Sequence, residues 1–342
     1  MLAFSLLVWT ALSTSLAACP ADSRTPPSQS AAPQATPPDP AAPLACTAAA
    51  AAPQGGARDP HVLQRRRAHV PWAGPSSQMD VPYAPFGPRN VFDFHAPPAS
   101  VAGQSAAPVV LFVHGGGFEE LNTEFVDLSA SPWVELQDRG YAIVAVRYRQ
   151  RPSGVYGAEM ARDAGYVVQL LRANAAAWHV DPNAIVGYGT SSGAFVLGLL
   201  AYGRDRANPA SADPNEHASS RLNAFLNDRC ESDWRHFVDS AITIHPFSSA
   251  TFVAVPQAER EAASALWWLE RPNAQTVPTI SFYKVPVNVP PLFNLHDGWL
   301  GYQLTLDLQA HGQSECSFHL YLGATPLPWE LAYDWLYRVI GW

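Results

Sequence analysis

This chain lacks several signatures, and each absence narrows what it can be. It has no cysteine and histidine spacing of the zinc type and no glycine-rich phosphate loop, so neither a metal nor a nucleotide cofactor is expected. Charge is sparse: 15% of its 342 residues are charged. The balance of 29 acidic against 21 basic residues makes it mildly acidic, with no basic face of the kind nucleic acid requires. Arg65-Arg66-Arg67 is short and isolated and reads as part of a solvated linker. Cysteine is scarce too, with four in all. Cys230 and Cys316 fall in the part expected to fold and could pair in an oxidising compartment, a bridge the sequence leaves open.

The first segment reads as a leader and not as part of a fold. Residues 2–12 are apolar but too short for a usual membrane span, and small residues follow up to Leu16-Ala17-Ala18-Cys19. Leu-Ala-Ala-Cys resembles a bacterial lipobox, which implies lipidation of Cys19 and a membrane tether outside the cytoplasm. No lysine or arginine precedes the apolar stretch, and a cleaved secretion signal is the alternative. Residues 20–79 form a Pro/Ala-rich linker, which also holds Cys46. Through its first forty or so residues it has almost no large apolar side chains with which to offset the entropy of ordering. That leaves residues 80–342 as one domain. Apolar residues make up 48% of the chain, and eleven tryptophans imply a large core or an aromatic pocket.

Within this domain, Ile185-Val186-Gly187-Tyr188-Gly189-Thr190-Ser191-Ser192-Gly193 is an apolar run breaking into Gly-x-Ser-x-Gly and resuming as the apolar Ala194-Phe195-Val196-Leu197. A strand that turns abruptly into a helix holds its serine in a strained conformation, and glycines two positions either side avoid a collision with neighbouring backbone. Such a turn lifts the Ser191 hydroxyl above the sheet edge at a helix N-terminus. Upstream, Pro108-Val109-Val110-Leu111-Phe112-Val113 reads as a buried strand ending in His114-Gly115-Gly116-Gly117. Three glycines free backbone N–H groups to face a ligand, while His114 reads as a hydrogen-bonded structural residue.

These motifs resemble the α/β-hydrolase superfamily, in its His-Gly-Gly-Gly branch of carboxylesterases, feruloyl-esterase-like and hormone-sensitive-lipase-like enzymes. The resemblance runs from Asp80 to Trp342. It takes in Val81-Pro82-Tyr83, Val91-Phe92-Asp93-Phe94, the strand-like Arg139-Gly140-Tyr141-Ala142-Ile143-Val144-Ala145-Val146-Arg147-Tyr148-Arg149, and Val180-Asp181-Pro182-Asn183 before the serine strand. It implies an α/β fold with a doubly wound, mostly parallel sheet and a small cap insertion, and the site at the strands' C-terminal edge. It also implies Ser191 as nucleophile, with the backbone N–H groups of Gly116, Gly117 and Ser192 as oxyanion donors. Residues 203–235, polar and irregular, are expected to supply the cap. Trp267 and Trp268 read as core residues or as the lining of an acyl pocket. Arg147 stands where relatives often carry aspartate.

The rest of a triad departs from the family pattern. Asp297, in Leu295-His296-Asp297-Gly298, is the only carboxylate between Glu270 and Asp307 and becomes the default acid, with a helix N-cap or turn as the other reading. The expected base position reads Gly323-Ala324-Thr325-Pro326, and no histidine follows His319. His319 is the first choice for a relocated base, beside His296 and His245, each of which also reads as a hydrogen-bonded structural histidine, while His311 near Gly312 reads as a helix C-terminal residue. Two functions stay open: a secreted or lipid-anchored serine hydrolase acting on small or polysaccharide-linked carboxylic esters, and a catalytically silent binding protein that keeps the pocket without turnover.

Overall fold

A computed structural model describes residues 72–84, 87–99, 106–119, 126–235, 255–284, 296–322 and 326–342. Cys19, Cys46, the arginine triplet and His245 lie outside the described residues.

Eight strands form one sheet in the order β1-β2-β4-β3-β5-β6-β7-β8. They are β1 (Gln78–Pro82), β2 (Val91–His95), β3 (Ala107–Val113), β4 (Ala142–Arg147), β5 (Val180–Thr190), β6 (Ala224–Asp228), β7 (Thr279–Lys284) and β8 (Cys316–Tyr321). β1 and β2 are antiparallel additions at one edge, and all other pairings are parallel. β3 is buried at every position, as its unbroken apolar run requires of a strand covered on both faces.

Helices cover both faces. One layer packs the sheet against α2 (Ala158–Ala173), α4 (Ser192–Tyr202), α6 (Ala265–Leu269) and α7 (Gly298–Ala310). The other packs it against α1 (Trp133–Asp138) and α8 (Trp329–Ile340). Two short helices, α3 (Ala175–Trp178) and α5 (Gln257–Ala262), complete the described set. Every residue of α4 is buried, because it lies between β5, α2 and α6, which explains an apolar helix with no polar face.

Register positions the site. Val113 of β3 stands beside Gly189 of β5, Thr190 beside Asp228 of β6, and Asp228 beside Phe282 of β7. The segments that follow these four strands therefore leave the sheet along one edge. A parallel connection must return to the opposite edge before the next strand starts. So α7 begins at the same edge as Ser191 and runs away from it to feed β8.

The described fold includes residues before 80: β1 begins at Gln78, and Trp72 is partly buried against the core with its ring edge-on to His179 at 5.0 Å. Of the polar stretch 203–235, the part after α4 and before β6 connects the far ends of those elements and packs on α2. Its polar groups bond within the stretch and to α2, as where the Ser219 hydroxyl donates to Asp205 and the Gln169 amide donates to Glu216 O and Ala218 O. Only residues after β6 reach the site edge. Cys230 and Cys316 are separate buried thiols, one beyond the end of β6 and the other at the start of β8. Trp267 and Trp268 pack edge to face at 4.8 Å, with Arg271 over Trp267 and Arg204 over Trp268. Arg147 has a structural partner set: it pairs with Asp93 at 2.9 Å and with Asp80, tying β1 and β2 to β4.

Candidate active site

At the end of β5, Ser191 adopts φ 51° and ψ −123°, a region that L residues avoid unless the surroundings impose it. The imposition is visible. The Ser191 N–H donates to Asp228 O at 2.9 Å, and the Ser191 carbonyl accepts from Phe195 N at 3.0 Å. A Cβ on Gly193 would lie 2.0 Å from Val113 O, so the first turn of α4 passes directly against the end of β3.

The His114-Gly115-Gly116-Gly117 loop leaves β3 at this point. A Cβ on Gly115 would sit 2.9 Å from Thr190 O and 3.3 Å from the Ser191 Cβ, so the loop lies on the elbow itself. Gly116 and Gly117 take φ of 126° and 64°. Phe118, also at positive φ, is buried against Phe195 and Trp234 and pins the loop's far end. His114 is buried with Nδ1 2.7 Å from Gly115 O, and its carbonyl accepts from the Tyr148 hydroxyl at 3.2 Å. Burial pushes the Tyr148 phenol up to about 12, which keeps it a neutral donor. The loop thus stands beside the first turn of α4, whose leading N–H groups, Ser192 among them, have no partner within the helix.

A histidine meets the serine, and it is His296. Its Nε2 lies 2.7 Å from Ser191 Oγ. A carboxylate joins them: Glu231 Oε1 is 3.4 Å from Ser191 Oγ and 3.4 Å from His296 Nε2. Glu231 is 2% exposed, on the segment that follows β6.

The structure does not bring His319 to the serine. His319 lies inside β8, in register with Phe282, on which its ring stacks at 5.4 Å, and its Nε2 is 3.1 Å from Ser317 Oγ. Phe282 belongs to the layer packed against α8, so the strand's alternation turns His319 away from the α4 face, and burial lowers its pKa. Asp297 takes the other of its two readings. It is the N-cap of α7, accepting from Trp299 N at 3.0 Å, and is 1% exposed. His311 ends α7, with Nδ1 2.8 Å from Asp307 O. Among the described residues no group of three or more His, Cys, Asp or Glu is placed to hold a metal ion.

Glu231 lies outside the span from Glu270 to Asp307, where the family resemblance places an acid. The available signal was an apolar strand, Ala224-Phe225-Leu226, ending in a polar turn with an acidic residue just beyond its end. His296 is one of the histidines the sequence offers, and its place at the edge where α7 starts brings it to Ser191 where His319 does not reach.

Comparison with known proteins agrees with this architecture. An acetyl ester-xyloside bifunctional hydrolase from Caldicellulosiruptor lactoaceticus superposes with a TM-score of 0.56 at 18% identity, covering 78% of this chain and 93% of its own. A carbohydrate esterase from gut microbiota, in truncated form, gives 0.59 at 16% identity, with 79% and 98% covered. A thermophilic esterase from the Planctomycetes species Thermogutta terrifontis gives 0.55 at 18% identity, with 80% and 96% covered. At such identities the likeness is one of fold. None of the curated proteins matches the chain. The BD-FAE family model matches residues 92–276, more than half of the chain, a stretch that holds the glycine loop, Ser191 and Glu231 and stops before His296. The chain therefore belongs to the BD-FAE family, an esterase-type family of the α/β-hydrolase fold.

Proposed function

We propose that this protein is a serine hydrolase of carboxylic esters, with Ser191 as nucleophile and His296 as general base. The observation that carries the reading is the 2.7 Å separation of Ser191 Oγ from His296 Nε2. A serine hydroxyl attacks poorly at neutral pH unless a base within hydrogen-bond reach takes its proton. A silent binding protein would need no such base, so its presence supports turnover.

In this reading the proton passes from Ser191 Oγ to His296 Nε2 as Oγ bonds to the carbonyl carbon. The negative charge that collects on the carbonyl oxygen is met by backbone N–H groups of Gly116, Gly117 and Ser192, held in place before the reaction begins. The imidazolium then gives its proton to the departing alkoxide, and water releases the acyl group by the same steps in reverse order. The carbohydrate and acetyl esters named for the structural neighbours favour a short acyl group on a sugar hydroxyl as substrate. Such a substrate suits an enzyme placed outside the cytoplasm, free or tethered through Cys19.

The test is labelling with a fluorophosphonate probe, which needs an activated serine. Wild type should label and Ser191→Ala should not; a folded wild type that stays unlabelled would sink the proposal.

A further inference from the structure

We propose that Glu231 is the catalytic carboxylate of this site and that it works from the nucleophile's side of the imidazole. This rests on the esterase reading above. The residue lies on the segment after β6, whereas the resemblance in the sequence pointed to an acid after the next strand, at Asp297. Asp297 is instead engaged in capping α7.

Three heteroatoms form a triangle: Ser191 Oγ, His296 Nε2 and Glu231 Oε1, with sides of 2.7, 3.4 and 3.4 Å. Ser191 has one O–H. With Nε2 unprotonated, that proton serves either the ring nitrogen or the carboxylate, and the remaining two lone pairs face each other with nothing between them. A proton on Nε2 resolves the conflict, because the ring N–H then points at the oxygens. When Nε2 is the base, the proton it receives as Ser191 attacks makes an imidazolium whose N–H meets the Glu231 carboxylate, an interaction the unprotonated ring lacks. An interaction stronger in that state than in the resting one lowers the barrier and not merely KM.

Glu231 is built for this role. Buried to 2% exposure, it has an Oε2 with no hydrogen-bond partner among the described residues, so other donors do not disperse its charge. Its segment is fixed on both sides. Cys230 N–H donates to Asn227 Oδ1 at 2.7 Å, and the Tyr283 hydroxyl donates to Cys230 O at 2.6 Å. Beyond it, Leu266 N–H donates to Ser232 O at 3.0 Å and Trp234 N–H to Ser264 Oγ at 2.8 Å. The Ser232 hydroxyl donates to Leu300 O at 3.3 Å, which ties the Glu231 segment to α7, the helix that starts just after His296. A buried carboxylate with one oxygen unpartnered is costly to keep, and its other oxygen contacts Ser191 and His296.

Proton accounting stays simple. Oγ bonds to the carbonyl carbon while the carbonyl π pair moves to oxygen. The Oγ proton becomes the Nε2 proton, held beside Glu231 Oε1. It leaves for the alkoxide oxygen as the old C–O bond breaks, and Glu231 remains a carboxylate throughout.

The experiment compares wild type, Glu231→Gln and Glu231→Asp for p-nitrophenyl acetate hydrolysis and for the rate of fluorophosphonate labelling, with thermal melting as the check on folding. Glu231→Gln keeps shape but removes charge. It should lower kcat by about 10²-fold or more with KM within about 3-fold, and slow labelling in parallel. Glu231→Asp keeps charge at a longer reach and should recover part of the loss. A folded Glu231→Gln with kcat within about 3-fold of wild type would overturn the assignment, as would a loss confined to KM. Should Glu231→Gln melt out, Glu231→Asp decides by the same split between kcat and KM. A wild type that neither labels nor hydrolyses brings down the esterase reading itself, an outcome distinct from labelling that ignores Glu231.

Discussion

Exchanging the two candidate histidines tests the site most directly. His296→Ala removes the ring nitrogen 2.7 Å from Ser191 Oγ and, on the proposed reading, leaves the hydroxyl without a base. Losses for a triad histidine run to about 10⁴ to 10⁶ in kcat, or about 5.5 to 8 kcal/mol at about 1.4 kcal/mol per decade. The side chain is 38% exposed, so the stability change should stay within about 1 kcal/mol. His319→Ala should do the opposite. Its ring stacks on Phe282 and meets Ser317, and deleting it should cost about 1 to 2 kcal/mol of stability while kcat/KM stays within about 3-fold of wild type. Hydrolysis of p-nitrophenyl acetate with urea unfolding of the same preparations reads both quantities. Full activity in His296→Ala, or its abolition in a folded His319→Ala, would refute the assignment.

Two further substitutions probe the frame around the site. Gly193→Ala places a methyl carbon 2.0 Å from Val113 O, and restoring a normal approach needs a shift of about 1 Å between α4 and β3. A displacement of that size at the nucleophile should lower kcat/KM by about 10²-fold or more. Gly312→Ala, at φ 79° with nothing within 4 Å of the new carbon, should cost about 1 kcal/mol in unfolding experiments and leave kcat/KM unchanged. Burial pushes the Asp307 carboxyl up to about 6, against an ordinary 3.8. The folded state then holds this proton more tightly than the unfolded one, so its stabilising effect is full below about pH 4 and is lost as pH rises past about 6. Asp307→Asn should flatten that fall in a melting series from pH 4 to 8. Allowing for its partial exposure, the substitution should raise stability at pH 7 to 8 by about 1 to 2 kcal/mol.

What the sequence determined by itself is what short-range chemistry dictates. Gly189 and Gly193 let the strand turn sharply into the helix at Ser191, and Gly115-Gly116-Gly117 can lie on that turn because it carries no side chains to collide with it. Unbroken apolar runs at Val109 to Val113 and Ile143 to Val146 marked strands covered on both faces, and α4 announced its burial through the absence of any polar face. The N-cap at Asp297 was also legible as one of two readings, because capping is decided within a turn. Tertiary structure alone decided which groups face Ser191. Glu231 stands 40 residues from the serine and His296 stands 105. Their meeting depends on strand order, on parallel connections that bring every second chain reversal to one edge, and on a register that aligns the ends of β3, β5, β6 and β7. His319 and His296 look alike as residues in a sequence. One is placed within a strand by its alternation, the other at the start of a helix, and only the packed sheet distinguishes a ring stacked on Phe282 from one within reach of Ser191.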